Sequence, residues 1–177
     1  MRHSFNIRLG VTEDAGCLAV LAAQVWLHTY ATDGISSEIA DYVLSHITPE
    51  KYSQLLRDSC TQVLVAMHTT NVVGLAVVRF EMPCPDNHDL AAELQTLYVQ
   101  EHFLRKGVGS LLLEAAEALA RSRANSRLWL TVNAHNSRAI AFYDRKGYTK
   151  IGTAYFVLGT EGLDHVVGHF RQSRIRP

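Results

Sequence analysis

Four prolines, three cysteines and a formal net charge of zero exclude several kinds of protein at the outset. Cys17, Cys60 and Cys84 are odd in number and lack metal-type spacing, which argues against a disulfide framework and fits a reducing cytoplasm. Seventeen basic residues offset seventeen acidic ones. Nothing global therefore draws the chain to nucleic acid or anionic lipid, no basic stripe with interleaved aromatics is present, and any anion recognition has to be local. No apolar run approaches the ~18 residues of a membrane span, and Met1-Arg2-His3-Ser4-Phe5 has no apolar signal core, so no membrane partner is expected. Among nine histidines only His165 and His169 are suggestively spaced, and on a strand they stand ~13 Å apart, too far for one ion, so no metal is expected.

What is abundant is apolar residues, 47% of 177, enough for one good core and too little for two, so a single domain over residues 1–177 is expected. Residues 5 to 9 alternate and read as a strand ended by Gly10. Thr12 is the expected cap of a helix carrying Leu18, Leu21, Ala22 and Val25 at helical spacing and ending near Gly34. On it, Trp26 and Tyr30 lie one turn apart, as core aromatics or as substrate contacts. A second helical region from about Ser36 breaks at Thr48-Pro49 and resumes through Tyr52, Leu55 and Leu56.

Residues 62–67 and 72–80 are β-rich runs joined by a polar turn, a hairpin. The proline-flanked segment from Pro83 to His88 is a loop. Glu93 to Val99 makes a third meander strand, followed by the basic turn Arg105-Lys106-Gly107-Val108-Gly109-Ser110 and a helix over 107–124 with Leu111, Leu112, Ala115, Ala116, Leu119 and Ala120 on its apolar face. Residues 127–132 are a strand, so strand, helix and strand form a βαβ unit whose glycine turn lies at the carboxyl end of its first strand. Glycines admit close approach and the free amides at a helix start favour a phosphate there, although a glycine can also serve only to turn the chain. A short helix capped by Asn136 or Ser137 and closed by Gly147 precedes terminal strands over 148–158 and 165–170 and a basic tail.

Glu93-Leu-x-x-Leu-Tyr-Val99, Arg105-Lys-Gly-Val-Gly109, Leu130-x-Val132 and Asn136-x-x-Ala139-x-x-Phe-Tyr143-x-x-x-Gly-Tyr148 resemble, in this order, the GNAT family of acetyl-CoA-dependent N-acetyltransferases. The phosphate loop of that family opens on Gln or Arg, where this chain has Leu104. The resemblance implies an α/β fold of the α+β kind: a mixed, twisted sheet of about seven strands, helices on both faces, splayed between the fourth and fifth strands. It implies acetyl-CoA as donor, with Leu97, Tyr98 and Val99 pairing with pantetheine and Arg105 to Ser110 cradling pyrophosphate. Asn136, Ala139 and Phe142 would flank the cofactor.

The chemistry needs a neutral amine, whose ammonium pKa of ~10.4 lies about three units above neutrality, a deficit of roughly 4 to 5 kcal/mol. Glu93 stands where histone-type members of the family carry a base, and is otherwise a strand carboxylate; Glu81 is a second option, or a loop charge. The resemblance puts Tyr143 in the general-acid place, its alternative being an aromatic packed on Phe142 and Ile140. The acceptor expected is a small amine such as a polyamine, on the weak likeness of Tyr155-Phe-Val-Leu-Gly159 and Asp164-His-Val-Val167 to spermidine/spermine-type enzymes. Two alternatives are a protein N-terminus, as in ribosomal-protein acetyltransferases, and an idle CoA-binding sensor or assembly protein. The acceptor pocket would use Trp26, Tyr30 and Glu81, and a homodimer is compatible with all of these.

Overall fold

The computed structural model describes residues 4–85, 88–124, 127–158 and 164–173. In chain order come β1 (Phe5–Leu9), a 3-10 turn (Thr12–Asp14), α1 (Ala15–Tyr30), α2 (Ser37–His46), α3 (Pro49–Arg57), β2 (Thr61–His68) and β3 (Asn71–Pro83). Then follow β4 (Leu90–Val99), a second 3-10 turn (Glu101–Phe103), α4 (Val108–Ala124), β5 (Leu128–Asn133), α5 (Ser137–Arg145), β6 (Tyr148–Leu158) and β7 (Asp164–Ser173). The seven strands hydrogen-bond in the order β1-β2-β3-β4-β5-β7-β6. β4 and β5 are parallel, as the βαβ reading requires, and β5–β7 and β6–β7 are antiparallel. The sheet is therefore mixed.

By proximity of the backbone the chain forms two compact units, Met1–Val78 with Thr96–Ala118, and Arg79–Gln95 with Leu119–Pro177. In the first, Leu18, Leu21 and Ala22 of α1 and Tyr52 of α3 bury against Val63, Val65, Leu75 and Val77. These strand residues are two apart, so they share one face of the sheet. Gly74, Ala76 and Val78 point to the other, where Leu112 and Val108 of α4 meet Gly74. Helices thus cover both faces within this unit. In the second, Cys84, Ala91 and Trp129 are buried together with Met82 and Ile151 packed on them, and Tyr143 of α5 meets Tyr148 of β6 with ring centroids 5.6 Å apart.

Several local expectations are corrected. Thr12 does not cap α1: the Asp14 carboxylate turns back to accept the Val11 N–H at 2.8 Å and holds Arg8 through two bonds of 2.7 and 2.8 Å, which winds residues 12–14 into a 3-10 turn first. Leu111 is 38% exposed, and the buried stripe of α4 is Val108, Leu112, Leu113, Ala116 and Ala120. Starting the helix at Val108 fixes that phase. β3 and β4 extend further into the loop than expected, to Pro83 and from Leu90, because Cys84 N–H bonds Asp89 O at 2.9 Å and ties the two ends together. Residues 86–87, Gly159 and the last four residues of the tail lie outside the described residues.

Candidate active site

The glycine turn is built in the first unit from β4 downward. Gln100 N–H bonds Val73 O at 2.9 Å and anchors the end of β4 to β3; the 3-10 turn closes through Leu104 N–H to Glu101 O at 3.0 Å. The backbone then takes two left-handed steps, Arg105 at φ 59° and Gly107 at φ 92°. For arginine that region is uncommon and strained; for glycine it is freely available. Gly107 O accepts the Leu111 N–H at 3.1 Å, so Gly107 is the first carbonyl of α4. The N–H groups of Val108, Gly109 and Ser110 consequently precede any intrahelical acceptor and point out of the helix start.

Arg105, Lys106 and Gly107 are exposed, Leu104 is half-buried, and the Val108 side chain is buried. A Cβ on Gly107 would meet nothing within 4 Å. The turn therefore presents open amides, the positive end of a 17-residue helix and two cations, an arrangement suited to an anion such as pyrophosphate. The Lys106 ammonium lies over the Phe103 ring, 5.2 Å from its centroid. Leu104, where the family pattern has a polar residue, offers only its backbone.

β4 carries Leu97, Tyr98 and Val99, all half-buried, just before this turn. The parallel ladder between β4 and β5 is three pairs long, Ala92 with Leu128, Glu93 with Trp129 and Leu94 with Leu130. It stops there, although β4 runs on to Val99 and β5 to Asn133. The family resemblance implies a splay between the fourth and fifth strands, and the ladder between them is correspondingly short.

Glu93 and Tyr143 both fall in the second unit. Glu93, opposite Trp129 in the ladder, is half-buried, and desolvation raises its carboxyl above the ordinary carboxylate range while the Arg79 charge pulls it part of the way back. Such a carboxylate is a better proton acceptor than an exposed one. Tyr143 is buried, and desolvation pushes its hydroxyl well above the ordinary phenol value, so it stays protonated. Its ring packs edge-on against Phe142, centroids 5.2 Å apart.

The helix that presents Tyr143 is fixed at its start by Asn136, whose side-chain oxygen accepts the Ala139 N–H at 3.0 Å. Asn136 is thus the cap, and the next two members of its face, Ala139 and Tyr143, follow at helical spacing.

The acceptor-side residues fare differently. Trp26 is 5% exposed, sandwiched between Tyr30 and Tyr42 with both centroid distances 4.7 Å, and Tyr42 in turn stacks on His46 at 4.5 Å. This column clamps α2, which has no fully buried residue of its own, onto α1. Only Tyr30 of the sequence-chosen pair keeps substantial exposure. Glu81 is exposed and sits at φ 58°, a conformation that re-aims a residue within β3. Among the described residues no three of His, Cys, Asp and Glu gather as a metal would need.

Two residues escaped the sequence reading. Arg79 tunes Glu93, and its signal was only the alternation along β3. Gly74 lies inside a β-rich run, where a glycine marks close approach of another backbone.

The model of the acetyltransferase (GNAT) family matches residues 25–148. An uncharacterized N-acetyltransferase of Mycobacterium tuberculosis (strain ATCC 25618 / H37Rv) is 30% identical over 146 residues, 82% of this chain and 90% of that protein. Among solved structures, the PaiA N-acetyltransferase of Thermoplasma acidophilum in complex with coenzyme A matches with a TM-score of 0.78 at 21% identity, covering 97% of this chain and 99% of that one. A ribosomal-protein-alanine N-acetyltransferase of Brucella melitensis matches with a TM-score of 0.68 at 24% identity, covering 96% and 99%. These two likenesses establish a shared fold.

Proposed function

Because the chain belongs to the GNAT family of acetyltransferases, we propose that it transfers the acetyl group of acetyl-CoA to the nitrogen of a small primary amine, such as a polyamine, by direct attack in a ternary complex. The observation that carries the proposal is the turn between β4 and α4, with its two left-handed residues, exposed Arg105 and Lys106, and the free amides of Val108, Gly109 and Ser110. Pyrophosphate of the donor would lie on these groups. Pantetheine would pair with the backbone of Leu97 to Val99, the part of β4 beyond its ladder with β5.

In the reaction the amine nitrogen forms a bond to the thioester carbonyl carbon and the carbon–sulfur bond breaks. Glu93 takes the proton that the amine sheds, directly or through water. Burial keeps Tyr143 protonated, so it first donates a hydrogen bond to the departing sulfur. The same poor solvation that holds the phenol proton also makes a nearby thiolate more basic, which favours delivery of that proton as coenzyme A leaves. Cys84 is buried and lies within the core of the second unit, which supports attack by the amine over an acetyl-cysteine intermediate.

The test is free-thiol release from acetyl-CoA against polyamines, amino acids, aminoglycosides and N-terminal peptides. Release with a small amine supports the proposal. Release with peptides alone would move the acceptor to a protein N-terminus, and coenzyme A binding without any release would leave an idle CoA-binding protein.

A further inference from the structure

Gly74 occupies the middle of β3, buried, in a position where glycine is by itself unfavourable. A strand-interior glycine weakens the strand relative to alanine. Its φ is not in the left-handed region, so the backbone does not require it. The requirement comes from its surroundings. A Cβ at Gly74 would stand 3.0 Å from the Tyr98 carbonyl oxygen, 3.1 Å from Leu112 Cδ1 and 3.2 Å from Val108 Cγ1. One contact is to backbone of β4, and two are to the first turns of α4. All three neighbours belong to the same compact unit as Gly74.

We infer that Gly74 is a positioning residue for the acyl donor, setting at one point both the strand edge and the helix start that receive it. The inference rests on the donor site proposed above. Successive carbonyls along a strand point to opposite edges, so holding Tyr98 O toward β3 directs those of Leu97 and Val99 to the other edge. Seating Val108 against Gly74 likewise fixes where the amides of Val108, Gly109 and Ser110 point. A methyl group at position 74 would push β4 and α4 by a few tenths of an ångström in different directions. The flexible Leu112 tip can yield, whereas the Tyr98 carbonyl can move only with its strand. Donor contacts made through backbone have no side-chain freedom with which to recover.

The test is Gly74→Ala, with Leu112→Ala added to it in a second variant to relieve the side-chain crowding and secure folding. Val77→Ala, on the opposite face of β3, controls for lost packing. Expected are a KM for acetyl-CoA raised about tenfold or more in Gly74→Ala, an acceptor KM unchanged and kcat within about threefold, the split persisting in the double variant. Val77→Ala should lower Tm without moving the donor KM. An unchanged donor KM, its full recovery on adding Leu112→Ala, or an equal loss in donor and acceptor terms would overturn the inference. If Gly74→Ala does not fold, the double variant alone decides by the same criteria. Calorimetric titration of the wild-type protein with coenzyme A separates the two levels: no binding there removes the donor site itself, and binding equal in wild type and variant removes only the role of Gly74.

Discussion

Glu93 ties activity and stability in opposite senses. Its carboxyl is raised in the folded chain, so between its ordinary value and its folded value the native state holds more proton than the unfolded one. Stability from this group is therefore present at low pH and lost as pH rises through the folded value, which leaves the desolvated, half-buried carboxyl as a cost at neutrality. Glu93→Gln should lower kcat by about 10²-fold or more at pH 7, abolish the acid limb of the pH–rate profile, and leave Tm at neutral pH equal to or above wild type. A wild-type profile in the variant would remove the base. Tyr143→Phe keeps the ring against Phe142 and Tyr148 and removes only the hydroxyl. It should fold as well as wild type and lose about 10- to 10²-fold in kcat with donor KM little changed, read by steady-state thiol release.

Among the elements, the turn from β4 into α4 shows how strain and charge can be separated. Arg105 sits at φ 59°, where glycine would be relaxed. Arg105→Gly should raise stability slightly while weakening donor binding, because it removes one cation from the exposed loop; the donor KM of wild type should also rise with ionic strength more steeply than that of the variant. Urea melts and KM at two salt concentrations check both halves. The link from β1 into α1 depends instead on Asp14, whose carboxyl the Arg8 guanidinium and the Val11 N–H hold below its ordinary value of 3.8. That contribution is complete above the ordinary value and is lost as pH falls through the lower folded one. Asp14→Asn should cost about 1–2 kcal/mol at pH 7, a figure reduced for the exposure of Arg8, and the difference should fade in melts near pH 2. Such links were the least legible in the sequence. Thr12 matched the cap pattern, but Asp14, two residues on, takes the position before α1, and its carboxylate turns back to the Val11 N–H and to an arginine in the preceding strand. Leu111 fitted the apolar stripe of α4 by spacing, and only the contact with Gly74 shows that the stripe begins at Val108.

For the molecule as a whole, the strand–turn–helix–strand core was readable because each of its parts has a local signal: β-branched runs, Gly107, an apolar helix face, and the cap at Asn136. The parallel pairing of β4 with β5 followed from the crossover they share. What could not be read is anything decided across the sheet. The three-pair length of the β4–β5 ladder, the desolvation of Glu93 against the pull of Arg79, and the clamp of Tyr30, Trp26, Tyr42 and His46 all join residues far apart in sequence or on different elements. Family membership supplies the reaction class, and the residues assigned to it stand as a proposal about this chain. The most direct test is to incubate the wild-type protein with acetyl-CoA, with and without the best amine of the panel, and to measure free thiol together with the masses of amine and protein. One acetylated amine per thiol released is expected, with the protein unmodified when the amine is omitted; thiol released without amine, with the acetyl group left on the protein, would contradict direct transfer.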